Sequence, residues 1–338
     1  MDQSHLETAR DGAPEIAADG LLSFEGLKPS AALELQSYDF DHFGESERYA
    51  GASSMPLSAG GVAIMRARLS LPALTLSLVK TFPRIIRGYQ SPQAVAVVVP
   101  MDNVASTRVN GQSIGSSIVV LKGASDCLVY EPVGRLIAVF YFSPPQREPW
   151  AQLSDGYHLL NPTSDVLASL RRRISTTLET AANNPEFLNE PTLRTVVEQS
   201  LINAMDAVMR TSANVNIGSR HSATDSYRRI VAEMERLIRQ DLGVWHKTTE
   251  LAERVGVSVR TLQSATQAIC GMSPHRYSRV LRLWSVRRQL RDGPGRRSVK
   301  SCAIAHGFWH LSEFAASYRT AFGELPSETL YRSMRETI

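Results

Sequence analysis

Cysteine is scarce in this sequence, which has Cys127, Cys270 and Cys302 among its 338 residues. They are odd in number and far apart. A disulfide framework needs pairs, and a thiolate zinc site usually needs Cys-x-x-Cys spacing. We therefore expect neither a disulfide scaffold nor a metal site, and we interpret all three as small buried apolar side chains.

Long apolar runs are also missing. No stretch of about 18 apolar residues occurs, so no transmembrane helix and no membrane contact are expected. The first 20 residues are polar and lack the basic start and apolar middle of a secretory signal. We expect residues 1–20 to be disordered and the protein to remain in the cytoplasm.

Histidine is absent from the segment with the strongest strand signals, because His42 precedes it and His158 follows it. Metal-dependent enzymes built on small barrels need clustered histidine and carboxylate ligands. The sequence also shows no Ser/His/Asp arrangement and no Gly-rich phosphate loop. We therefore expect no metal, no cofactor and no catalytic residue, so the chain is predicted not to be an enzyme.

What the sequence does have is apolar content for a sizeable core and an uneven distribution of charge. Apolar residues make up 43% of the chain, whose length suits two domains of about 100–200 residues each. From Ser226 onward there are 19 Lys and Arg against 10 Asp and Glu, a net charge of +9. The preceding part has 18 against 23, a net charge of −5. This asymmetry indicates that only the C-terminal part meets a polyanion.

Short runs rich in β-branched and aromatic residues follow one another between residues 59 and 143. The predicted strands are 62–69, 74–81, 94–99, 118–121, 127–130 and 136–142. Asn110-Gly111 is a strong hairpin signal because both positions tolerate positive φ. Several short strands at this spacing predict a sandwich or small barrel. We assign residues 21–150 to this β-rich regulatory domain.

Apolar residues recur at spacings of three and four in two stretches within residues 151–212, which predicts two amphipathic helices. These helices either pack on the β-structure or form a dimerisation face, and the two readings need not exclude each other. A homodimer is expected. Residues 213–225 are small and polar and are predicted to be a flexible linker.

The basic segment, 226–338, contains a repeat whose letters differ between copies. Each copy has an Ala four residues before a Gly, and each ends in a Gly followed three residues later by a Pro. The first copy uses Ala252, Gly256, Gly271 and Pro274, and the second uses Ala303, Gly307, Gly323 and Pro326. A small residue lets two helices cross closely, and Gly permits the tight turn between them. The repeat therefore predicts two helix-turn-helix units.

In the first unit Ser258 is placed to cap the second helix and Gly271 to end it. Leu262 and Ile269 are seven residues apart and are expected to face the core. The segment 275–291 is predicted to be a helix interleaved with arginines. It would span roughly 25 Å and hold the two units near the ~34 Å spacing of successive major-groove faces.

Over residues 227–335 the chain resembles the AraC/XylS transcription regulators. The resemblance rests on Arg282 and on a late set of residues, Ala303, Gly307-Phe308, Phe314, Tyr318-Arg319, Gly323, Pro326-Ser327 and Tyr331-Arg332. The run RTLQSATQAICG, the pair Arg287-Arg288 and the string from Gly307 to Leu311 look most like regulators of ethanolamine utilisation. Three positions depart from the family pattern. Thr266 stands where an aromatic residue is usual, Cys302 where Ile is common and Tyr318 where Phe is usual.

The resemblance implies an α+β multidomain fold, with a cupin-like N-terminal β-barrel or sandwich carrying helices and an all-α C-terminal domain. It also implies two sets of base-facing residues, Arg260, Gln263 and Ser264 in the first unit and Ser312, Glu313 and Ala316 in the second. Arg pairs with guanine, Gln with adenine and Glu with the cytosine amino group, whereas Ala316 offers only a contact to a thymine methyl.

We therefore expect a sequence-specific DNA-binding transcription regulator, an activator of a metabolic operon that responds to an effector. Its expected partners are double-stranded DNA through the major groove, RNA polymerase and a small-molecule effector, whose site the sequence does not identify. The alternatives are an architectural DNA binder and, with less support, a DNA-modifying or small-molecule enzyme with a tethered DNA-binding module.

Overall fold

The structure is a computed structural model that describes residues 24, 27–38, 52–58, 64–88, 95–123, 127–142, 150–215, 222–292 and 298–336. The segment 1–20, which we predicted to be disordered, lies outside these residues. The described part of the chain forms an N-terminal β-domain carrying two helices, followed by an all-helical domain. The predicted α+β multidomain fold is confirmed.

The strands of the described part form two antiparallel sheets. They are β1 (Leu33–Tyr38), β2 (Ala52–Pro56), β3 (Ile64–Ser70), β4 (Leu74–Lys80), β5 (Arg84–Gly88), β6 (Val95–Pro100), β7 (Arg108–Val109), β8 (Gln112–Ser113), β9 (Ile118–Lys122), β10 (Cys127–Glu131), β11 (Leu136–Phe142), β12 (Gly156–Asn161) and β13 (Ala213–Val215). Sheet A has the order β1-β3-β4-β11-β6-β9-β12-β13, and sheet B has the order β2-β5-β10-β7-β8. All six strands predicted from the sequence are present, with ends that differ by at most two residues.

The hairpin predicted at Asn110-Gly111 is confirmed. Asn110 has φ 50° and Gly111 has φ 85°, and the two residues join β7 to β8, whose facing pairs are Arg108 with Ser113 and Val109 with Gln112. Two successive positive φ angles match the right-handed twist of the flanking strands.

Several strands were not predicted because their local pattern is weak. Strand β5 begins with Arg84 and contains Arg87, β2 is rich in Ser, and β12 contains His158. Charged and small residues are disfavoured in strands unless tertiary contacts accept them. Because β12 is part of sheet A, the strand region extends beyond the histidine-free segment 59–143 and includes His158. His158 is buried, and its Nε2 lies 2.8 Å from the Ser154 carbonyl oxygen.

Sheet A separates two apolar layers by strict alternation of side chains. In β6, Val95, Val97 and Val99 belong to the main core with the helices, whereas Ala96 and Val98 face sheet B. A period of two along a strand produces this division. The interior between the two sheets is therefore lined from both sides.

Helices α1 (Ser164–Asn183) and α2 (Pro191–Thr211) pack on the outer face of sheet A. Leu170, Ile174 and Leu201 are at most 2% exposed there. The indole Nε1 of Trp150 donates a 2.6 Å hydrogen bond to Asp206 Oδ1, so the buried indole is satisfied. The interpretation that these helices pack on the β-structure is confirmed.

Two predicted boundaries are wrong. Strand β12 lies within residues 151–212, which we assigned to helices, so sheet A continues past residue 150. The predicted linker 213–225 begins with β13, which pairs with β12, and its last four residues open the next helix. Hydrogen bonding to β12 gives a polar segment a strand conformation that its own sequence does not favour.

The C-terminal domain consists of α3 (Ser222–Gln240), α4 (Thr248–Val255), α5 (Val259–Cys270), α6 (Pro274–Asp292), α7 (Val299–Ala305), α8 (Leu311–Phe322) and α9 (Pro326–Glu336). Its apolar side chains form two clusters. One contains Met234, Leu251 and Leu262, and the other contains Val286, Phe314 and Tyr318. Helix α6 contributes to both. No helix in the described ranges is long and apolar enough to cross a bilayer.

Candidate nucleic-acid interface and ligand cavity

The first helix-turn-helix unit consists of α4, a short turn and α5. Gly256 ends α4 with φ 78°, a conformation that is cheap only for Gly. The Ser258 hydroxyl oxygen accepts a 3.1 Å hydrogen bond from the Thr261 amide and caps α5, which ends at Gly271 with φ 66°. The predicted turn, cap and stop are all confirmed.

Helix α5 divides into an inner and an outer face. Leu262, Ala265 and Ile269 are fully buried. Arg260, Gln263 and Ser264, the first predicted base-facing set, are exposed and lie together in the first two turns. In this fold class the N-terminal residues of the second helix contact base edges. The three side chains are therefore exposed on the outer face of α5, and their contact with bases stays a prediction.

The second unit, α7 with α8, repeats this geometry. Gly307 has φ 80°, and its carbonyl oxygen accepts a 2.7 Å hydrogen bond from Trp245 Nε1. Phe314 and Tyr318 are buried. The second predicted set consists of Ser312, Glu313 and Ala316, all of which are exposed at the start of α8.

Glu313 differs from the other five predicted residues because it has a charged partner. Arg279 of α6 reaches across to α8, and its Nη2 lies 3.2 Å from Glu313 Oε1. The same guanidinium also donates to the Ser317 hydroxyl. Arg279 thus ties α8 to α6 and places a positive charge beside Glu313.

Two arginines of α6 are buried, which the sequence pattern did not reveal. Arg282 donates to the Val244 carbonyl oxygen at 2.6 Å and lies over the Trp245 ring at 4.8 Å. Burial lowers the pKa of Arg282 to about 10. Arg287 forms a 2.8 Å ion pair with Glu324, and both side chains are largely buried. Arg282 ties α6 to the loop before α4 and to the end of α7, and Arg287 ties α6 to Glu324 after α8. Because both are buried, they are not available to phosphates.

The three departures from the family pattern are accommodated. Thr266 is fully buried, and its hydroxyl donates a 2.7 Å hydrogen bond to the Leu262 carbonyl oxygen one turn earlier. The Tyr318 hydroxyl lies 2.8 Å from Thr329 Oγ1. Cys302 is 1% exposed and fills a core position. No buried polar atom is left stranded by the Thr or the Tyr.

A cavity of about 140 Å³ lies between sheets A and B. Its walls are mostly apolar and include Val98, Val129 and Val139. At one end Arg84 Nε and Glu131 Oε2 form a buried ion pair of 2.7 Å. Arg135 also lines the cavity and is paired with Asp102 at 2.8 Å. An apolar cavity of ~150 Å³ accommodates a molecule the size of benzene, so this space suits a single ring.

The outer face of sheet B packs on the first helix-turn-helix unit. Ile85 and Leu128 share a core cluster with Ile230, Met234 and Leu262 of the helical domain. The β-domain and the first unit are therefore joined by apolar packing. Within the described ranges no group of three or more His, Cys, Asp or Glu side chains is arranged to hold a metal ion.

A family model described as a helix-turn-helix domain matches residues 251–332. The XylDLEGF operon transcriptional activator of Pseudomonas putida is 36% identical over 112 residues, which are 33% of this chain and 34% of that relative. The chain thus matches about a third of that relative's length. A probable AraC family transcriptional regulator from Rhodopseudomonas palustris CGA009 is 34% identical, with 31% of this chain and 96% of that chain covered and a TM-score of 0.29.

A second Pseudomonas putida relative, the XylDLEGF operon transcriptional activator 2, is 32% identical over 120 residues. That match covers 35% of this chain and 74% of the relative. Together with the two helix-turn-helix units built around Gly256 and Gly307, it identifies the family. The chain belongs to the AraC/XylS family of transcription regulators.

Proposed function

We propose that the chain is a sequence-specific DNA-binding transcription regulator, an effector-responsive activator of a metabolic operon. The observation that carries this proposal is the pair of recognition helices, α5 and α8, each with its polar reading residues exposed in the first two turns. The net charge of +9 from Ser226 onward supplies sequence-independent attraction to phosphates. Relatives described as operon transcriptional activators support the direction of control.

In this mechanism α5 and α8 enter successive major-groove faces. Arg260 pairs with a guanine and Gln263 with an adenine, while Ser264 and Ser312 accept or donate as the base requires. Ala316 contacts a thymine methyl. Glu313 accepts from a cytosine amino group while its carboxylate is shared with Arg279. We therefore propose that the second unit reads sequence more weakly than the first.

The direct test is selection of a randomised duplex library on the full chain at about 0.15 M salt. We expect enrichment of a site with two half-elements about one helical turn apart. Retention without an enriched sequence would favour the architectural alternative instead. No retention at all would reject the function. The narrower resemblance to regulators of ethanolamine utilisation stays a prediction, which the enriched site tests when it is located in the genome.

The cavity between the sheets is our candidate effector site. Because Arg84 and Arg135 are already paired with carboxylates, a free carboxylate ligand would have to displace one of them. We therefore propose a neutral ligand of about one six-membered ring with a single polar group.

Thermal unfolding of the full chain with cyclohexanol and, separately, cyclohexanecarboxylate tests this choice. We expect a rise in melting temperature with the alcohol alone, since ligand that binds only the folded state stabilises it. Val98→Phe, which fills the cavity, is expected to abolish the rise. Stabilisation by the carboxylate alone would contradict the proposed chemistry.

A homodimer and a contact with RNA polymerase complete the proposal. A protein that reads operator DNA also works in the compartment that holds it, which is the cytoplasm. Val196 on α2 is 58% exposed and borders the groove between α1 and α2, so we place the dimer contact there. Sedimentation of the full chain at tens of micromolar should give a dimer that Val196→Arg converts to a monomer. A monomeric parent chain would contradict this contact.

A further inference from the structure

Strands β5 and β10 have two faces that serve different domains. Arg84, Ile86 and Gly88 of β5 line the cavity, as do Cys127, Val129 and Glu131 of β10. The intervening residues, Ile85, Leu128 and Tyr130, pack on the first helix-turn-helix unit. The two strands are paired in register, with Arg84 opposite Glu131 and Arg87 opposite Leu128. One backbone layer therefore separates the cavity from the first unit.

The outer face carries an ion pair between the domains. Arg87 Nη2 lies 2.5 Å from Glu235 Oε2 on α3, and the Glu235 carboxylate is largely buried. The same carboxylate accepts hydrogen bonds from Tyr277 Oη at 2.6 Å and from Arg239 Nε at 2.7 Å. Glu235 thus joins β5 to both α3 and α6. Losing Arg87 would leave a buried carboxylate with fewer partners, which is costly.

A second polar contact reaches the recognition helix itself. Arg108 of β7 donates to the carbonyl oxygens of Gln267 and Ala268 at 3.3 and 3.4 Å. These carbonyls belong to the last turn of α5, where a cation is favoured by the helix dipole. The ring of Tyr130 also lies against Gly271, at the end of the same helix. The contacts hold the C-terminal end of α5 and leave Arg260, Gln263 and Ser264 exposed.

We propose that sheet B is the coupling element of this regulator. Filling of the cavity displaces β5, β10 and the adjoining β7, and their outer side chains Arg87, Tyr130 and Arg108 transmit the displacement to α3 and α5. Close-packed interiors transmit strain rather than absorb it. Helix α8 packs in a separate core that, among the described residues, contains no residue of sheet B, so the first unit is the regulated one. This inference rests on the proposed function in taking the cavity as the effector site.

The test uses substitutions in place of the unidentified effector. Val98→Phe fills the cavity from sheet A and touches neither β5's outer face nor the helical domain. Arg87→Ala with Arg108→Ala opens the coupling face. Hydrogen exchange of the α5 amides is measured in the full chain for the parent, for each change and for the combination. If Val98→Phe does not fold, Val98→Ile replaces it, with Val97→Ile on the opposite face of β6 as the matched control.

We expect Val98→Phe to change the exchange rates of the α5 amides by about threefold or more. A change of this size exceeds the deviation from additivity that independent sites show. In the Arg87→Ala, Arg108→Ala background the same substitution should change these exchange rates by less than twofold. Helix α8 should respond less than α5 in every case. Equal changes in both backgrounds, or none in the parent, would overturn the coupling. Because hydrogen exchange needs no DNA, failure of the chain to select a DNA site would reject the proposed function alone.

Discussion

At the scale of single residues, arginines of the helical domain have two distinct roles. Arg260 is exposed at the start of α5, whereas Arg282 is fully buried and bonded to backbone carbonyl oxygens. A guanidinium is suited to both tasks because its donors are planar and always charged. The family resemblance assigned Arg260 to the base-facing set, whereas no sequence pattern indicated that Arg282 is buried. Burial decides between them.

Arg260→Ala should relax base preference at one position of the selected site and weaken binding by ~1–3 kcal/mol. The reason is loss of a bidentate base contact. Lys300, exposed on α7, serves as the comparison, because Lys300→Ala should weaken selected and random DNA alike. Titration of both variants against selected and scrambled duplexes measures this. Equal losses on the two duplexes for Arg260→Ala would remove it from the reading set.

Tyr318→Phe should lower stability at neutral pH by about 1 kcal/mol, the contribution of one internal hydrogen bond. Thr329 retains Glu324 as a partner at 2.7 Å, so no polar atom is stranded. Denaturant unfolding measures the difference. The exposed Tyr331 gives the control, and Tyr331→Phe should have little effect.

The same variant should change the response to alkaline pH. Burial raises the pKa of Tyr318 from 10.0 to about 12. Between these values the folded chain holds a proton that the unfolded chain has lost, so stability falls as pH rises from 10 towards 12. Tyr318→Phe removes this contribution, and its stability should fall less steeply across that window. An identical slope in both proteins would show that Tyr318 does not titrate as described.

At the scale of elements, the glycines that end α4 and α5 have the same backbone conformation and different surroundings. Gly256 has open space around its missing side chain, whereas a Cβ on Gly271 would overlap the ring of Tyr130. Both positions have positive φ, which disfavours any other residue. The sequence predicted both turns correctly, but the contact of Gly271 with a distant strand has no local signal.

Gly256→Ala should therefore cost about 1–2 kcal/mol, the strain of a left-handed Ala. Gly271→Ala should cost about 1–3 kcal/mol more, because the methyl group also displaces Tyr130. Melting temperatures of the two variants give the order. In a Tyr130→Ala background the two glycine substitutions should lower stability by similar amounts. If Gly271→Ala still cost more there, contact with Tyr130 would not explain the difference.

Element prediction succeeded where periodicity is local and failed where contacts are distant. The runs of β-branched and aromatic residues in β6 and β11 and the three-four spacing in α1 and α2 required no tertiary information. Strand β5 was missed because Arg84 and Arg87 look unsuited to a strand until Glu131 and Glu235 are placed beside them. Likewise, β13 was missed because its strand conformation depends on hydrogen bonding to β12, which lies far away in the sequence.

At the scale of the whole molecule, the two helix-turn-helix units are supported differently. The first shares its core with Ile85 and Leu128 of sheet B, whereas the second is built around Phe314 and Tyr318 within the helical domain. The sequence showed two similar copies within a basic domain. Their similarity gave no indication that, in the described part of the chain, only the first unit shares a core with the β-domain. An interface between domains leaves no periodic pattern in either partner, so it was not foreseen.

Deletion of residues 1–221 should accordingly affect the units unequally. The exposed apolar surface of α3 and α5 should lower the melting temperature, and the amides of α5 should exchange faster than in the full chain. Helix α8 should keep nearly its full-chain protection and provides the internal control. Uniform loss of protection in both units would show that they unfold together and that the β-domain supports them equally.

The alternation along β5 and β10 also limits how relatives of this protein can be recombined. Cavity-lining and helix-facing positions interleave one by one, from Arg84 to Gly88 and from Cys127 to Glu131. A single-residue insertion or deletion within either strand would exchange the two sets, placing Arg87 in the cavity and Arg84 against the helices. The cavity lining can therefore diverge by substitution, whereas chimeras must join outside these strands.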